Sequence, residues 1–351
     1  MFRVDRRGRT LTDVDATSWG ALWNAEPGFL NTASFGLPPR RAWQELQAMQ
    51  ADWRAGRTSW EGWDDATGRA RRAFATLVGA DVADVCVGAE VSQLLAPVAA
   101  GLAGRRFVAP DVEFTSNLFP WLVAGDVRTV PAGTLADAVD GRTDAVAFSL
   151  VQSATGEVAD YGRIVAAARA YRALVIVDAT QACGWLPFDA TLADVVVVGA
   201  YKWLMAPKGV AFGYLAPALR ERLTPWAANW YAGEGVDAAY GPPLRLAGDA
   251  RRFDISPSWP GFAGAAPALD LVAELGVPAI HAHDVGLANR FLEGLGLPPG
   301  DSAIVTVDVP GAEQRLNSAG VRAAVRVGRV RLSFHAYNTV ADVDLAVTAL
   351  R

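Results

Sequence analysis

The sequence predicts an α/β fold, with a large domain whose mainly parallel sheet lies between helices and a small C-terminal α+β domain. Short apolar runs alternate with helical patterns from about residue 82 to residue 215, which is typical of a parallel sheet covered on both faces. The last ~90 residues mix helical patterns with two strands. A chain of 351 residues can form two such units. We predict a polar N-terminal arm over 1–15, the large domain over 16–258 and the small domain over 259–351.

The elements follow from periodicity along the chain. Apolar residues at helical spacing predict a helix over 41–53, and a second helical pattern covers 69–78. Strands and helices then alternate; the predicted strands are 82–87, 106–108, 127–130, 145–151, 174–177, 195–198 and 210–215, and the helices between them are 92–102 and 164–171. An irregular connection rich in Gly, Pro and aromatic residues follows over 225–258. The C-terminal part predicts a helix over 264–275, two further helices and strands over 303–307 and 330–333.

Composition excludes several classes of protein. The net charge of -5 gives no electrostatic case for nucleic acid. No stretch approaches the ~18 to 20 apolar residues of a membrane span, and the N-terminus lacks the apolar core of a signal peptide, so we expect a cytoplasmic protein that contacts no membrane. The two cysteines, Cys86 and Cys183, and three histidines show no ligand spacing. We therefore expect neither a metal site nor a disulfide.

An acidic residue directly follows the predicted strand 174–177. Asp178 at such a position needs a cationic or donor partner, because burying a lone carboxylate is costly. A protonated pyridine nitrogen is such a partner, and enzymes that use pyridoxal 5'-phosphate (PLP) place an acid there. Gln181, three residues on, could reach the phenolic oxygen of the same ligand. Taken alone, Asp178 could equally be a helix N-cap.

A lysine follows the four-valine strand 195–198. Lys202 is one of only two lysines in the chain, and a lysine in a partly apolar pocket has the lowered pKa that Schiff-base chemistry requires. A surface lysine at a strand end is the alternative. A third strand end, over 88–92, turns into a helix, which could bind a phosphate at its N-terminus, although small residues are common at such turns.

Five motifs in this order make the chain resemble a known family: FLNTASFGLPP (29–39), EFTSNLFPW (113–121), VDATQ (177–181), YKW (201–203) and VRLSFHAYNT (330–339). The family is the class V aminotransferase group of fold-type I PLP enzymes, which includes cysteine desulfurases, kynureninases and isopenicillin N epimerase-like proteins. The resemblance covers nearly the whole chain.

The resemblance implies a set of cofactor contacts. Lys202 would form the Schiff base with PLP, Asp178 would pair with the pyridine nitrogen, and Gln181 would contact the ring hydroxyl. For the phosphate the resemblance implies Val91, Ser92 and Tyr201. Tyr201 matches the kynureninase-like pattern, whereas many desulfurases have His there.

The resemblance also implies contacts around the cofactor ring and the substrate. Phe114 would stack on the ring, where desulfurases use a nearby His. Arg331 matches the arginine that binds the substrate's α-carboxylate, and its fork of donors suits a carboxylate; a strand Arg paired with a surface acid is the alternative. Asn31 would line the substrate side. Ser256 and Trp259 fall where the family reaches into a neighbouring subunit's site, which implies a homodimer with shared sites.

The reaction is less closely specified than the cofactor. Segment 318–329 contains no cysteine, which argues against persulfide-forming desulfuration. We favour a β-eliminating lyase of the carbon–sulfur type acting on a small amino acid, with Lys202 removing the α-proton. An aminotransferase and an amino-acid epimerase of specialised metabolism stay open. A non-catalytic PLP-fold protein would not need Lys202, Asp178 and Arg331 together, and the missing Gly-x-Gly-x-x-Gly turn excludes an NAD-type dehydrogenase.

Two further features have ordinary structural interpretations. Trp53, Trp60 and Trp63 could wall a substrate pocket, but such clusters more often form a core or a dimer interface. Cys183 lies close in sequence to Asp178, and we interpret it as a packing residue rather than a nucleophile.

Overall fold

A computed structural model describes residues 16–235 and 238–351, so the predicted arm lies outside the described residues. The fold has a seven-stranded sheet in the order β1-β7-β6-β5-β4-β2-β3 and a separate three-stranded sheet in the order β8-β10-β9. The strands of the large sheet are β1 (Val85–Gly88), β2 (Arg106–Pro110), β3 (Asp126–Val130), β4 (Ala145–Ser149), β5 (Leu174–Asp178), β6 (Val195–Gly199) and β7 (Ala211–Leu215). Those of the small sheet are β8 (Ile304–Val307), β9 (Ala324–Arg326) and β10 (Arg329–Ser333).

Six strands of the large sheet share one direction. The pairs β2–β3, β2–β4, β4–β5 and β5–β6 are parallel, whereas β7 is antiparallel to both β6 and β1. The predicted mainly parallel sheet is therefore confirmed. As a result the carboxyl ends of β1, β4, β5 and β6 lie at one edge of the sheet, where ligands bind in open α/β folds.

Helices cover both faces of this sheet. The helices of the described residues are α1 (Arg40–Arg54), α2 (Trp60–Val78), α3 (Val91–Gly101), α4 (Thr115–Ala124), α5 (Leu135–Ala138), α6 (Tyr161–Ala170), α7 (Pro217–Arg220), α8 (Trp259–Leu275), α9 (Val277–Gly294), α10 (Ala312–Ser318) and α11 (Val340–Leu350), of which the last three pack with the small sheet. Alternate strand residues enter two cores: Val175 packs in the cluster that contains Phe74 of α2, and Ile176 packs in the cluster that contains Leu94 of α3. Burial on both faces explains why these strands are continuously apolar.

The small antiparallel sheet has its own core with α9, α10 and α11. That cluster includes Phe291, Leu332 and Val343, and Leu30 from the N-terminal segment joins it. Helix α8 instead packs on α1 and α2, and Phe262 and Leu269 belong to the large core. The division at residues 258 and 259 stays a prediction.

Several elements differ from their predicted bounds. Helix α2 begins at Trp60, nine residues before the predicted start, and α8 begins at Trp259 with a proline in its first turn, where the missing N–H has no intrahelical partner. Helix α4 was not predicted because Pro120 lies inside it, and proline usually ends a helix. Three helices, not two, follow α8. Within the described residues no single helix is long and apolar enough to cross a membrane, and α8 and α9 pass that test only as a pair bent by 83°.

Candidate active site

A cavity of about 550 Å³ opens at the carboxyl ends of β4, β5 and β6. Six of the predicted site residues line it: Val91, Phe114, Asp178, Gln181, Tyr201 and Lys202. They come from four separate segments of the chain, and the parallel sheet brings these segments together at one edge. The cavity is large enough for a small cofactor with its substrate.

Lys202 lies in the loop after β6 and is only 6% exposed. Its Nζ atom lies 5.5 Å from the ring centroids of both Phe114 and Tyr201, and among the described residues it has no hydrogen bond or ion pair. Burial lowers the pKa of Lys202 from 10.5 to about 8, against the opposing effect of Asp178 and with a further lowering from Arg331. A substantial fraction of the amine is therefore uncharged near neutral pH and is nucleophilic.

Asp178 is the last residue of β5 and is 5% exposed. Its Oδ1 atom accepts a hydrogen bond of 2.8 Å from the backbone N–H of Thr180. Burial raises the pKa of the Asp178 carboxyl, and the bonds from Thr180 and the charge of Lys202 oppose that rise. A carboxylate with so few donors needs a further cationic partner from the cavity that it lines.

Gln181 is held at both ends of its amide. Its Nε2 atom donates to the carbonyl oxygen of Ala33 at 2.9 Å and to Ser153 Oγ at 3.0 Å, and its Oε1 atom accepts from Trp203 Nε1 at 2.8 Å. The side chain still lines the cavity. The contact of Gln181 with the cofactor's hydroxyl stays a prediction. To make that contact, the Gln181 amide would have to share or give up one of these three hydrogen bonds.

The residues predicted to contact the cofactor's ring and phosphate lie in two places. Phe114 and Tyr201 flank Lys202 in the cavity, and Val91, the first residue of α3, also lines it. Ser92 lies instead on an adjoining groove between α3 and α4, and its hydroxyl bonds the Glu90 carboxylate at 3.4 Å. The phosphate role of Ser92 stays a prediction that would require its hydroxyl to turn toward the cavity.

Glu113 supports this wall of the cavity and was not predicted. It is buried, and its carboxylate accepts bonds from the Phe114 N–H at 2.9 Å, the Ser149 N–H at 2.7 Å, the Ser149 hydroxyl and Gln152 Nε2 at 3.1 Å. Burial raises the pKa of the Glu113 carboxyl, against these bonds. The residue ties the end of β4 to the backbone of Phe114.

Arg331 lies on β10 and is 1% exposed, although it carries a charge. Its Nη1 atom donates to the Ser153 carbonyl and, at 3.2 Å, to Ser153 Oγ; its Nη2 atom donates to Ser34 Oγ at 2.8 Å. Its Nε atom has no partner, and among the described residues no carboxylate pairs with it. Burial lowers the pKa of Arg331 to about 10. The predicted alternative, a pair with a surface acid, does not occur among these residues.

Asn31 pairs with Ser333 in an isolated parallel bridge, beside the strand that carries Arg331. Its Oδ1 atom is buried without a partner. Asn31 therefore places an unsatisfied acceptor atom beside the small sheet. Its position on the substrate side stays a prediction.

The residues predicted to reach a partner subunit lie apart from the cavity lining. Ser256 is exposed, and Trp259 stacks on Trp60 with ring centroids 6.1 Å apart. Trp63 also contacts Trp259, at 5.8 Å. Trp53, by contrast, is 63% exposed. Trp60 and Trp63 therefore pack in an aromatic cluster rather than on the described cavity wall.

A buried histidine links the lysine loop to the small domain and was missed by sequence reasoning. His335 Nδ1 lies 2.8 Å from Asp284 Oδ2 of α9, and its Nε2 lies 3.0 Å from the carbonyl oxygen of Trp203, the residue after Lys202. The imidazole therefore bridges the Asp284 carboxyl and the backbone of Trp203. Asp284 and His335 are fully buried.

The two cysteines are free and buried, in agreement with the predicted packing role of Cys183. Burial raises the pKa of both thiols to about 12. Such thiols are protonated and inert at neutral pH. Across 16–235 and 238–351 no group of three or more His, Cys, Asp or Glu residues could hold a metal ion.

The donor set fits PLP. A buried lysine amine without a partner suits the cofactor's aldehyde, a buried carboxylate with few donors suits its pyridinium nitrogen, and the rings beside Lys202 suit its faces. A parallel sheet that presents these groups in one cavity defines a PLP-dependent enzyme of fold-type I. The chain belongs to the aminotransferase class-V family, whose model matches residues 64–315.

Individual relatives agree with this assignment. The chain is 29% identical to the uncharacterized aminotransferase YcbU of Bacillus subtilis over 83% of this chain and 84% of the relative. It is 28% identical to isopenicillin N epimerase of Streptomyces clavuligerus over 87% and 81%. The fold matches the structure of the cystine C-S lyase C-DES in complex with cysteine persulfide, with a TM-score of 0.83, 20% identity and coverage of 93% and 97%. Other relatives and similar structures include cysteine desulfurases.

Some site residues were missed although a signal existed. Ser149 and Ser153 follow β4 just as Asp178 follows β5, so the same rule about strand ends could have found them. Thr180 lies between two predicted residues, and its hydroxyl accepts the Gly199 N–H at 2.9 Å. Lys208, the second lysine of the chain, also lines the cavity. Glu113 and His335 lie within quoted motifs, but only their contacts reveal what they do.

Proposed function

We propose that the enzyme acts on a small α-amino acid whose carboxylate pairs with Arg331. The observation that carries this proposal is a buried guanidinium without a carboxylate partner among the described residues, held by Ser34 and Ser153, the second of which lines the Lys202 cavity. A buried charge without a counterion is costly, and an anionic ligand removes that cost. Two donors in a plane suit a carboxylate bidentately.

The side chains around the cavity divide the work. Bound PLP supplies a ring that withdraws electrons from the substrate's α-carbon. Asp178 and Phe114 both line the cavity, where Asp178 would hold a negative charge for the ring's nitrogen and Phe114 would pack on the ring. Lys202, with a pKa of about 8, accepts the α-proton in its free-base form.

We propose a β-elimination of the carbon–sulfur type as the reaction. Elimination requires one base and an electron-withdrawing ring, whereas epimerisation requires a second proton donor on the opposite face of the substrate. Persulfide transfer requires a thiolate, and both cysteines of the chain are buried with raised thiol pKa values. The names of the Bacillus and Streptomyces relatives favour aminotransfer and epimerisation as the second candidates.

The test is to incubate the purified holoenzyme with each proteinogenic amino acid and measure three products. Release of a 2-oxo acid with ammonia supports the lyase. Amino-group transfer to an added 2-oxo acid supports an aminotransferase, and loss of optical activity in D₂O with deuterium uptake supports an epimerase.

Arg331 variants test the substrate class. Arg331→Ala should lower kcat/KM by roughly two orders of magnitude or more, because the pair is desolvated. Arg331→Lys should recover only part, because it keeps the charge but not the fork. Amines without a carboxylate should be poor substrates of every variant. An Arg331→Ala enzyme that reacts with amino acids as well as the parent does would contradict the proposal.

We also propose a homodimer in which the aromatic-rich connection 225–258 contacts the partner's site. Trp226 and Tyr240 of that connection are 75% and 90% exposed. Large exposed aromatic side chains in one segment are typical of a contact surface. Ser256 and Trp259 stay proposed contacts of this kind.

A further inference from the structure

Two arginines converge on one serine hydroxyl beside the substrate side of the cavity. Arg331 Nη2 donates to Ser34 Oγ at 2.8 Å, and Arg326 Nη2 donates to the same oxygen at 3.2 Å. Arg326 ends β9, and Arg331 lies on β10, its hairpin partner. The two guanidinium groups are therefore near neighbours, that of Arg326 exposed and that of Arg331 buried.

Neither charge is compensated by the described part of the protein. Arg326 makes one other bond, to the carbonyl oxygen of Val325 at 2.7 Å, and among the described residues neither arginine has an acidic partner. Their charges also act on each other and on the catalytic amine: Arg326 contributes to the lowering of the pKa of both Arg331 and Lys202, after the larger effect of burial. The shared bond to Ser34 keeps the Arg326 guanidinium beside Arg331.

The lining of the cavity has few acidic residues that could offset the positive charges of Arg326 and Arg331. Glu90 and Asp178 are its acidic lining residues among those described, and the proposed function assigns Asp178 to the cofactor. Lys208 adds another positive charge to the lining. A monoanionic carboxylate at Arg331 would leave Arg326 unmatched.

We propose that Arg326 binds an anionic group on the substrate's side chain, so that the preferred substrate is an α-amino acid with a second carboxylate. This inference rests on the proposed function, because it takes the α-carboxylate to be held by Arg331. Two adjacent forks match two carboxylates separated by a few bonds, as in a cysteine S-conjugate that carries a carboxylate on its sulfur substituent. Ser34, bonded to both arginines, sets the spacing between them.

The experiment uses matched pairs that differ in charge but hardly in shape: aspartate against asparagine, and glutamate against glutamine. Dissociation constants come from titrating the holoenzyme and following the cofactor's absorbance. Binding is the readout because neither pair carries a carbon–sulfur bond to eliminate. The wild type should favour the acid in at least one pair by about tenfold or more. Arg326→Gln should abolish that preference while it leaves binding of the amide within about threefold.

Arg326→Lys should keep part of the preference, because it retains charge without the fork. The matched control is Arg329→Gln, an exposed arginine on the same hairpin. It makes the same change in net charge and should leave the preference intact. If Arg329→Gln lost as much of the preference for the acid as Arg326→Gln does, the preference would depend only on net charge. That result would overturn the assignment of Arg326 to the side-chain carboxylate.

Three other outcomes separate the inference from the function beneath it. A wild type without preference for the acid in either pair overturns the inference alone. Equal loss of acid and amide binding in Arg326→Gln also overturns it, because Arg326 would then serve the α-carboxylate or the fold. No response to any amino acid by the wild type, together with no effect of Arg331→Ala, overturns the proposed function and the inference with it.

Discussion

Asp178 and Lys202 show how burial sets the chemistry of single residues in this enzyme. Each lies at the carboxyl end of a buried strand, and each loses hydration that would stabilise its charge. The cavity shifts their pKa values in opposite directions, up for the acid and down for the amine. Both pKa shifts favour the uncharged form of the side chain, and a bound ligand of suitable charge can reverse that preference.

Asp178→Asn should lower the rate by orders of magnitude with the fold preserved. An asparagine oxygen can still accept the Thr180 N–H bond, but it carries no charge to hold a pyridinium nitrogen. Steady-state kinetics gives the rate, and circular dichroism with cofactor absorbance serves as the control for folding and loading. Activity within about threefold of wild type, a change of only ~0.7 kcal/mol in barrier, would remove this role from Asp178.

The loading of apo-protein with PLP should depend on pH through the amine of Lys202. Only the free amine attacks the cofactor's aldehyde, so the rate should rise about tenfold per unit below pH 8 and level off above it. Stopped-flow absorbance at saturating PLP measures this profile. A rate that still climbs steeply to pH 10, as for a lysine with the ordinary pKa of 10.5, would contradict the lowered value.

At the scale of elements, segment 29–39 fits tightly against the loop that carries Lys202. Gly36 donates its N–H to the Tyr201 carbonyl at 3.0 Å. A Cβ atom at Gly36 would lie 1.9 Å from the Lys202 carbonyl oxygen, which is backbone and cannot move aside cheaply. The N-terminal motif therefore positions the Lys202 loop by close approach of two backbones.

Gly36→Ala should displace the Lys202 loop and lower stability by about 1–3 kcal/mol, with a larger loss of activity. Denaturant unfolding and initial rates measure the two effects. The matched control is Gly62→Ala in exposed helix α2, where a Cβ meets nothing within 4 Å, and it should be neutral or slightly stabilising. Equal behaviour of the two variants would mean that the loop tolerates the contact.

The His335–Asp284 pair joins α9 of the small domain to the backbone after Lys202. His335→Gln should destabilise the fold by roughly 1–3 kcal/mol, because it removes the imidazole that bonds the buried Asp284 carboxyl. Urea unfolding of His335→Gln, Asp284→Asn and the double variant gives the coupling energy. The double variant should lose less free energy of unfolding than the sum of the losses in the two single variants. Strictly additive losses would show that the two residues do not act as a pair.

At the scale of the whole molecule, exposed apolar side chains gather outside the cavity. Helix α4 presents Phe119 and Val123, which are 57% and 89% exposed, on the groove that α4 forms with α3. Ser116 lies on both this groove and the cavity. A second subunit that covered the groove would therefore reach the edge of the active site.

Light scattering should give twice the 37.1 kDa mass of one chain. Val123→Asp should weaken the dimer, because it places a charge in the apolar groove. Val327→Asp, on a side chain of similar exposure at the β9–β10 turn, is the matched control and should leave the mass unchanged. A fully active wild-type monomer would rule out shared sites.

The sequence by itself determined the parallel sheet, its strand ends and the cofactor chemistry placed on them. Apolar runs and helical periods are local signals, and a charged residue just after a buried strand needs a partner at the sheet edge, so Asp178 and Lys202 could be picked out as candidates without coordinates. Their assignment to PLP came from the resemblance of the five motifs to the class V aminotransferase family. The α4 helix escaped prediction because Pro120 masks its pattern.

Only the tertiary structure decided which distant residues meet. Arg331 reaches Ser34 across 297 positions and Ser153 across 178, and Arg326 joins Ser34 across 292. His335 meets Trp203 across 132 positions. No periodicity encodes such pairs, because they depend on how the small sheet packs on the large one. The substrate side of the enzyme is built from these contacts, and for that reason the cofactor could be predicted from the sequence while the second arginine could not.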